Sequence, residues 1–128
     1  MNRKIKFRIW DIENKEMLRV QELDFEPTFY GGRIAIRADQ YNDYFDTEDM
    51  ILMQYTGIHD KNGKEIYEGD ILKSIQWNVI YLVKYIGTAF YLCREGNKGF
   101  NKITTWNNAE KSEVIGNIYD NPELLGGK

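Results

Sequence analysis

Ile71-Leu72-Lys73-Ser74-Ile75-Gln76-Trp77, Val79-Ile80-Tyr81-Leu82-Val83-Lys84-Tyr85-Ile86, Gly87-Thr88 and Ala89-Phe90-Tyr91-Leu92-Cys93-Arg94 follow one another almost without interruption. Each long run is rich in β-branched and aromatic residues, and Gly87-Thr88 is short enough for a tight hairpin. Val79, Tyr81, Val83 and Tyr85 alternate with Ile80, Leu82, Lys84 and Ile86. Both sets are largely apolar, so this strand is expected to be covered on its two faces, by the N-terminal hairpin or by a second chain. Glu113–Tyr119 reads as a fourth strand, and a short one is expected near Ile103–Trp106. Several short strands at this spacing define a small sandwich or barrel.

Upstream, Lys4-Ile5-Lys6-Phe7-Arg8-Ile9-Trp10 alternates strictly, with Ile5, Phe7 and Ile9 on one side and the cations on the other. A polar stretch at Asp11–Lys15 and then Met17-Leu18-Arg19-Val20 complete a β-hairpin. Arg33–Arg37 alternates as a third strand. Residues 38–50 read as a loop or a short irregular helix, and Met50–Tyr55 as a buried strand or a buried helical turn. Asp60-Lys61-Asn62-Gly63-Lys64 is a turn, because Asn-Gly tolerates the positive φ of tight hairpins. Glu68-Gly69-Asp70 is a second turn. Asn121–Leu125 is expected to end the fold as a helical turn with Pro122 in its first position. The reading is mainly β. It divides into 1–55, an N-terminal β-hairpin with an acidic–aromatic segment, and 56–125, a barrel, the two able to form one compact unit.

With 128 residues and 42% apolar composition, the chain can bury a core without staples. Its single cysteine, Cys93, allows no internal disulfide. The basic start, Met1–Lys6, leads into no apolar stretch, and no run is long enough to span a membrane, so the expected location is the cytoplasm. Residues 1–60 hold 8 Lys/Arg and 12 Asp/Glu, net −4, and residues 61–128 hold 9 and 8, net +1. Neither half binds phosphate backbones by charge alone.

Three stretches resemble the YopX family, a family of phage and prophage proteins: Ile5–Asp11, Leu52–Ile71 and Glu113–Leu125. The middle one, LMQYTGIHDKNGKEIYEGDI, is long and specific, and departs from the family pattern mainly at Ile58-His59. The resemblance implies a small SH3-like β-barrel in the C-terminal part, an origin in phages of Gram-positive bacteria, and self-association. It implies no activity and carries over no site residue.

The residues themselves offer no catalytic set. His59 is the only histidine and lies in a turn-rich loop with no nucleophile beside it. Cys93 sits in an alternating strand, with Arg94 on the opposite face, and reads as a packed thiol. One Cys and one His cannot build a zinc tetrad. Counted from Asp60, Gly63 falls at position 4 and Lys64 at 5, which breaks the calcium-loop pattern. Glu65, Glu68 and Asp70, like Asp46, Glu48 and Asp49, read as exposed solubilising charge, with Asp70, after Gly69, expected to hydrogen-bond its own turn. Gly31-Gly32 and Gly126-Gly127 lack the setting and the lysine of a phosphate loop. No catalytic residue, cofactor or metal is assigned.

Two surfaces remain. Asp39, Asp43, Tyr44, Asp46 and Asp49 interleave carboxylates with aromatics, and read either as a solvated loop whose aromatics pack on the barrel or as a surface suited to a basic protein partner from phage or host. Lys73, Trp77, Lys84, Tyr91 and Lys102 combine cations with rings that could stack on the bases of single-stranded nucleic acid. The function expected is a non-enzymatic protein-interaction module, acting as a homo-oligomer in the host bacterial cell. The alternative is a nucleic-acid-binding accessory protein, and a third is an enzyme whose site is assembled across subunits.

Overall fold

The computed structural model describes residues 4–26, 34–39, 41, 44–46, 48, 50–76, 78–94, 100–102 and 107–125. The chain forms two compact units, residues 6–54 and residues 1–5 with 55–128.

In the first unit, β1 (Phe7–Asp11), β2 (Glu16–Asp24), β3 (Ala35–Ala38), β4 (Phe45–Asp46) and the start of β5 (Met50–His59) pair antiparallel in the order β4-β3-β2-β1-β5. The expected hairpin is present, with Ile9 opposite Leu18. Its turn is locked by Asp11, whose Oδ1 accepts the N–H groups of Glu13 and Asn14 at 3.1 and 3.2 Å. Asp11 Oδ2 accepts Asn14 Nδ2 at 2.8 Å. Ile9, Leu18, Ile36, Ala38 and Met50 form the core. The half-buried pattern expected of β1 is only partly realised. Ile5 lies ahead of the strand and is exposed, whereas Trp10 and Met53, on the face opposite Ile9, are buried. β1 lies inside the sheet, between β2 and β5, and carries buried side chains on both of its faces. The segment expected to be a loop or helix contains β4, with Asp46 opposite Ala35 and Phe45 opposite Ile36. Met50–Tyr55 is strand, and continues to His59.

The second unit receives the end of β5, which pairs with β6 (Glu65–Tyr67). It continues through β7 (Asp70–Ser74), β8 (Ile80–Ile86), β9 (Ala89–Arg94), β10 (Phe100–Lys102), α1 (Asn107–Glu110), β11 (Ser112–Asn117) and a 3-10 turn at Pro122–Leu125. The last is the expected terminal helical turn. The short strand expected at Ile103–Trp106 lies outside the described residues. Leu72, Tyr81, Val83 and Leu92 share one sheet face by register, and Ile58 and Ile66 of the β5–β6 hairpin pack on them with Ala109. Tyr55 opposes Tyr67 and His59 opposes Glu65, so Thr56, Gly57 and Ile58 face the single residue Ile66. Gly57, at φ +96°, supplies this bulge, which turns Ile58 inward while leaving His59 exposed.

The closed SH3-like barrel is not found. The five strands run in the order β10-β9-β8-β7-β11, and among the described residues no pairing joins β10 to β11. A barrel would satisfy the β11 edge with another strand. Here the turn after β5 does so instead: Lys61 N–H donates to Ser112 O at 2.9 Å, and Asp60 Oδ2 accepts the Val114 N–H at 2.9 Å. The architecture is two antiparallel sheets with very little helix.

Candidate functional site

The acidic–aromatic segment is tied to β2 through its tyrosines. Tyr41 Oη donates to Glu16 Oε2 at 2.8 Å, and Tyr44 Oη donates to Glu22. Arg37 Nε also donates to Glu22, at 2.9 Å. Hydrogen bonds from Arg37 and then Tyr44 hold the Glu22 carboxyl below its usual range, while the Glu22 bond pushes the Tyr44 phenol up. Asp39 lies 3.5 Å from the Arg19 guanidinium, and its N–H donates to Arg19 O at 2.9 Å. These are surface pairs, which orient side chains more than they stabilise the fold. Of the five residues assigned to this surface, Asp39 and Tyr44 are both outward-facing and held by β2. Asp46 occupies β4, but its side chain, like the whole of Asp43 and Asp49, lies outside the described residues.

The basic–aromatic set is drawn together by register. Lys73 opposes Ile80, Lys84 opposes Tyr91, and Tyr91 opposes Lys102. Ile80 and Lys84 are four residues apart on β8, so Lys73, Lys84 and Tyr91 share the sheet face opposite the Leu72–Val83 core. Lys102 holds the register position beside Tyr91, its side chain outside the described residues, as is Trp77. Glu113 lies opposite Lys73 on the neighbouring strand and offsets part of its charge.

Cys93 shares that face, opposite Leu82. Burial pushes its thiol up, and the Lys84 charge pulls it back only in part, so little thiolate forms near neutrality. His59 is exposed, with its ring edge-on to Tyr55 at 6.0 Å. Among the described residues, no group of three or more His, Cys, Asp or Glu side chains is placed to hold a metal ion.

The sequence reading missed the buried carboxylates. Asp11, Asp60 and Asp70 are all buried. Asp70, read as exposed charge bonded to its own turn, is buried, and it does close that turn by accepting the Tyr67 N–H at 2.8 Å. Asp60, only 6% exposed, accepts the N–H groups of Asn62 and Lys64 on Oδ1, each at 2.8 Å, and that of Val114 on Oδ2. Burial alone would raise its pKa. The three backbone donors, with the Lys64 charge, outweigh that and leave the carboxyl below its ordinary range. The visible signal was Asp followed by Asn-Gly, which announces a turn; nothing local announces that one oxygen reaches β11.

Two antiparallel sheets, with the recognisable sequence stretches running through β1, β5 to β7 and β11 and the turns beside them, define a family by its scaffold. The chain belongs to the YopX protein family, whose model matches residues 6–126. It is similar to the crystal structure of protein EF1440 from Enterococcus faecalis, with 30% identity and a TM-score of 0.65 over 97% of this chain and 99% of that one. It is also similar to YopX from Bacillus subtilis, with 21% identity and a TM-score of 0.59 over 96% and 97%, a likeness of fold alone. Neither name states an activity or a ligand. No functionally curated protein matches the chain.

Proposed function

We propose that this protein is a non-enzymatic protein-interaction module of phage or prophage origin, acting inside the host bacterial cell. One observation carries the reading. The buried charged residues among those described are Asp11, Asp60 and Asp70, and each accepts backbone N–H groups of its own turn. Carboxylates engaged in this way hold a scaffold and are unavailable as general acids or bases. The surface favoured for a partner is the acidic–aromatic segment of Asp39, Asp43, Tyr44, Asp46 and Asp49, which suits a basic protein. The test is affinity capture from a host lysate with wild-type protein and with a triple charge reversal, Asp43→Lys, Asp46→Lys and Asp49→Lys. A specifically captured partner should be lost in the variant. A partner retained by the variant places docking elsewhere.

A second reading has its own support. Lys84, Tyr91 and Lys102 are neighbours across three strands, with Lys73 on the same sheet. A ring flanked by cations suits single-stranded nucleic acid. Binding of a fluorescent single strand at low and high salt tests it: salt-sensitive binding weakened by Lys84→Glu and by Tyr91→Ala supports the reading, and binding that is absent at low salt removes it.

A further inference from the structure

We propose that Asp60 is a plug on the β11 edge of the five-stranded sheet, closing off Ser112–Val114 from strand pairing with a second copy of the chain. The sheet has two ends, β10 and β11. Leu72 pairs with Tyr81, and Ser74 N–H donates to Val79 O, so the hydrogen-bonding groups of Leu72 and Ser74 point toward β8. Their partners on β11, Val114 and Ser112, therefore present their own groups away from β7, on the open edge. Two of these four groups are taken by one turn. Ser112 O accepts the Lys61 N–H, and the Val114 N–H donates to Asp60 Oδ2. The turn thus occupies the place of a sixth strand, with a side-chain carboxylate standing in for a peptide carbonyl.

The carboxylate is aimed by its other oxygen, which accepts Asn62 and Lys64 N–H. An amide would present one acceptor oxygen and an NH2 group, so one side of the plug would face an N–H with an N–H. Past Val114 the register breaks before Gly116, and Asn117 N–H is taken by Asn121 Oδ1 at 3.2 Å. The pairing edge is therefore short, and Asp60 with Lys61 takes one backbone group on each of its two outward-facing residues. Uncovered strand edges are the usual route to edge-to-edge association.

Two variants test this. Asp60→Asn disturbs the Val114 side of the plug. Lys61→Pro removes the N–H donated to Ser112 O, together with the Lys61 side chain, and leaves the Asp60 carboxylate in place. Lys61 follows Asp60 in a turn closed by Gly63 N–H to Asp60 O at 3.0 Å, a position where Pro is favoured. The measurements are hydrogen exchange at Val114 and sedimentation velocity across a wide range of protein concentration. In Asp60→Asn the Val114 amide should exchange about tenfold faster or more, as the loss of one charge-assisted bond implies. In both variants, sedimentation should rise with concentration beyond wild type. Lys61→Pro that keeps the wild-type circular dichroism spectrum and sediments as wild type at every concentration overturns the proposal, whatever Asp60→Asn does. A folded Asp60→Asn with unchanged exchange at Val114 overturns it equally.

Discussion

The Asp60 carboxylate and the Val114 backbone N–H, 54 positions apart in the chain, meet at 2.9 Å. One oxygen thereby fastens the β5–β6 turn to the last strand, while the other closes the turn itself. A local turn signal and a long-range tie share one side chain. Removing it orphans three backbone donors at once, in a site that admits little water. Asp60→Ala is expected to cost about 2–4 kcal/mol and Asp60→Asn somewhat less, read from urea denaturation. A loss within about 0.5 kcal/mol for Asp60→Ala, the range of ordinary surface substitutions, would contradict this account.

The same residue sets an acid limb of stability. Its native pKa lies below the ordinary 3.8, so the unfolded chain binds its proton first as pH falls. The contribution of Asp60 is present in full above that ordinary value. It is lost as pH drops through 3.8 toward the lowered native value. Stability measured against pH should therefore fall more steeply below pH 3.8 in wild type than in Asp60→Asn. Parallel curves in that window would show that the carboxylate is not the titrating tie.

At the other end of β11 the constraint is steric. A Cβ on Gly116 would stand 2.5 Å from Asn121 Oδ1 and 3.0 Å from Asn121 Cβ. Gly116→Ala is expected to destabilise by about 1–3 kcal/mol through overpacking. Adding Asn121→Gly should recover part of the loss, so the double variant is more stable than the sum of the singles predicts. Strict additivity in thermal melts would place the strain elsewhere.

Within the second core, Ile66 is wholly buried against Ile58, Leu72 and their neighbours. Ile66→Ala is expected to cost about 2–5 kcal/mol, because the hairpin loses both apolar burial and filled volume. Chemical denaturation measures it directly, and a cost under about 1 kcal/mol would mean that the hairpin does not seal this core.

Cys93 is half-buried and its thiol is raised by burial. Iodoacetamide near neutral pH should therefore label native protein far more slowly than urea-unfolded protein. Equal rates would contradict the packed setting opposite Leu82.

Much of the topology was legible in the chain. The hairpin at Ile9 and Leu18, the strands 79–86 and 89–94 joined at Gly87-Thr88, and the terminal turn at Pro122 all follow from alternation and turn chemistry. These are local properties, with neighbours in sequence acting on one another. Register drew Lys73, Lys84 and Tyr91 to one face, which strand periodicity allows one to anticipate.

What the amino-acid order determined by itself is therefore a set of strands, their turns and a family resemblance carried by three stretches of strand and turn. Tertiary structure alone decided that no pairing among the described residues joins β10 to β11, that Trp10 is buried, and that Asp60 is a tie rather than a solvated charge. The physical reason is reach. Alternation tells which side chains leave a strand together, but whether an edge meets another strand or a carboxylate depends on segments half a chain apart, whose approach no local pattern encodes.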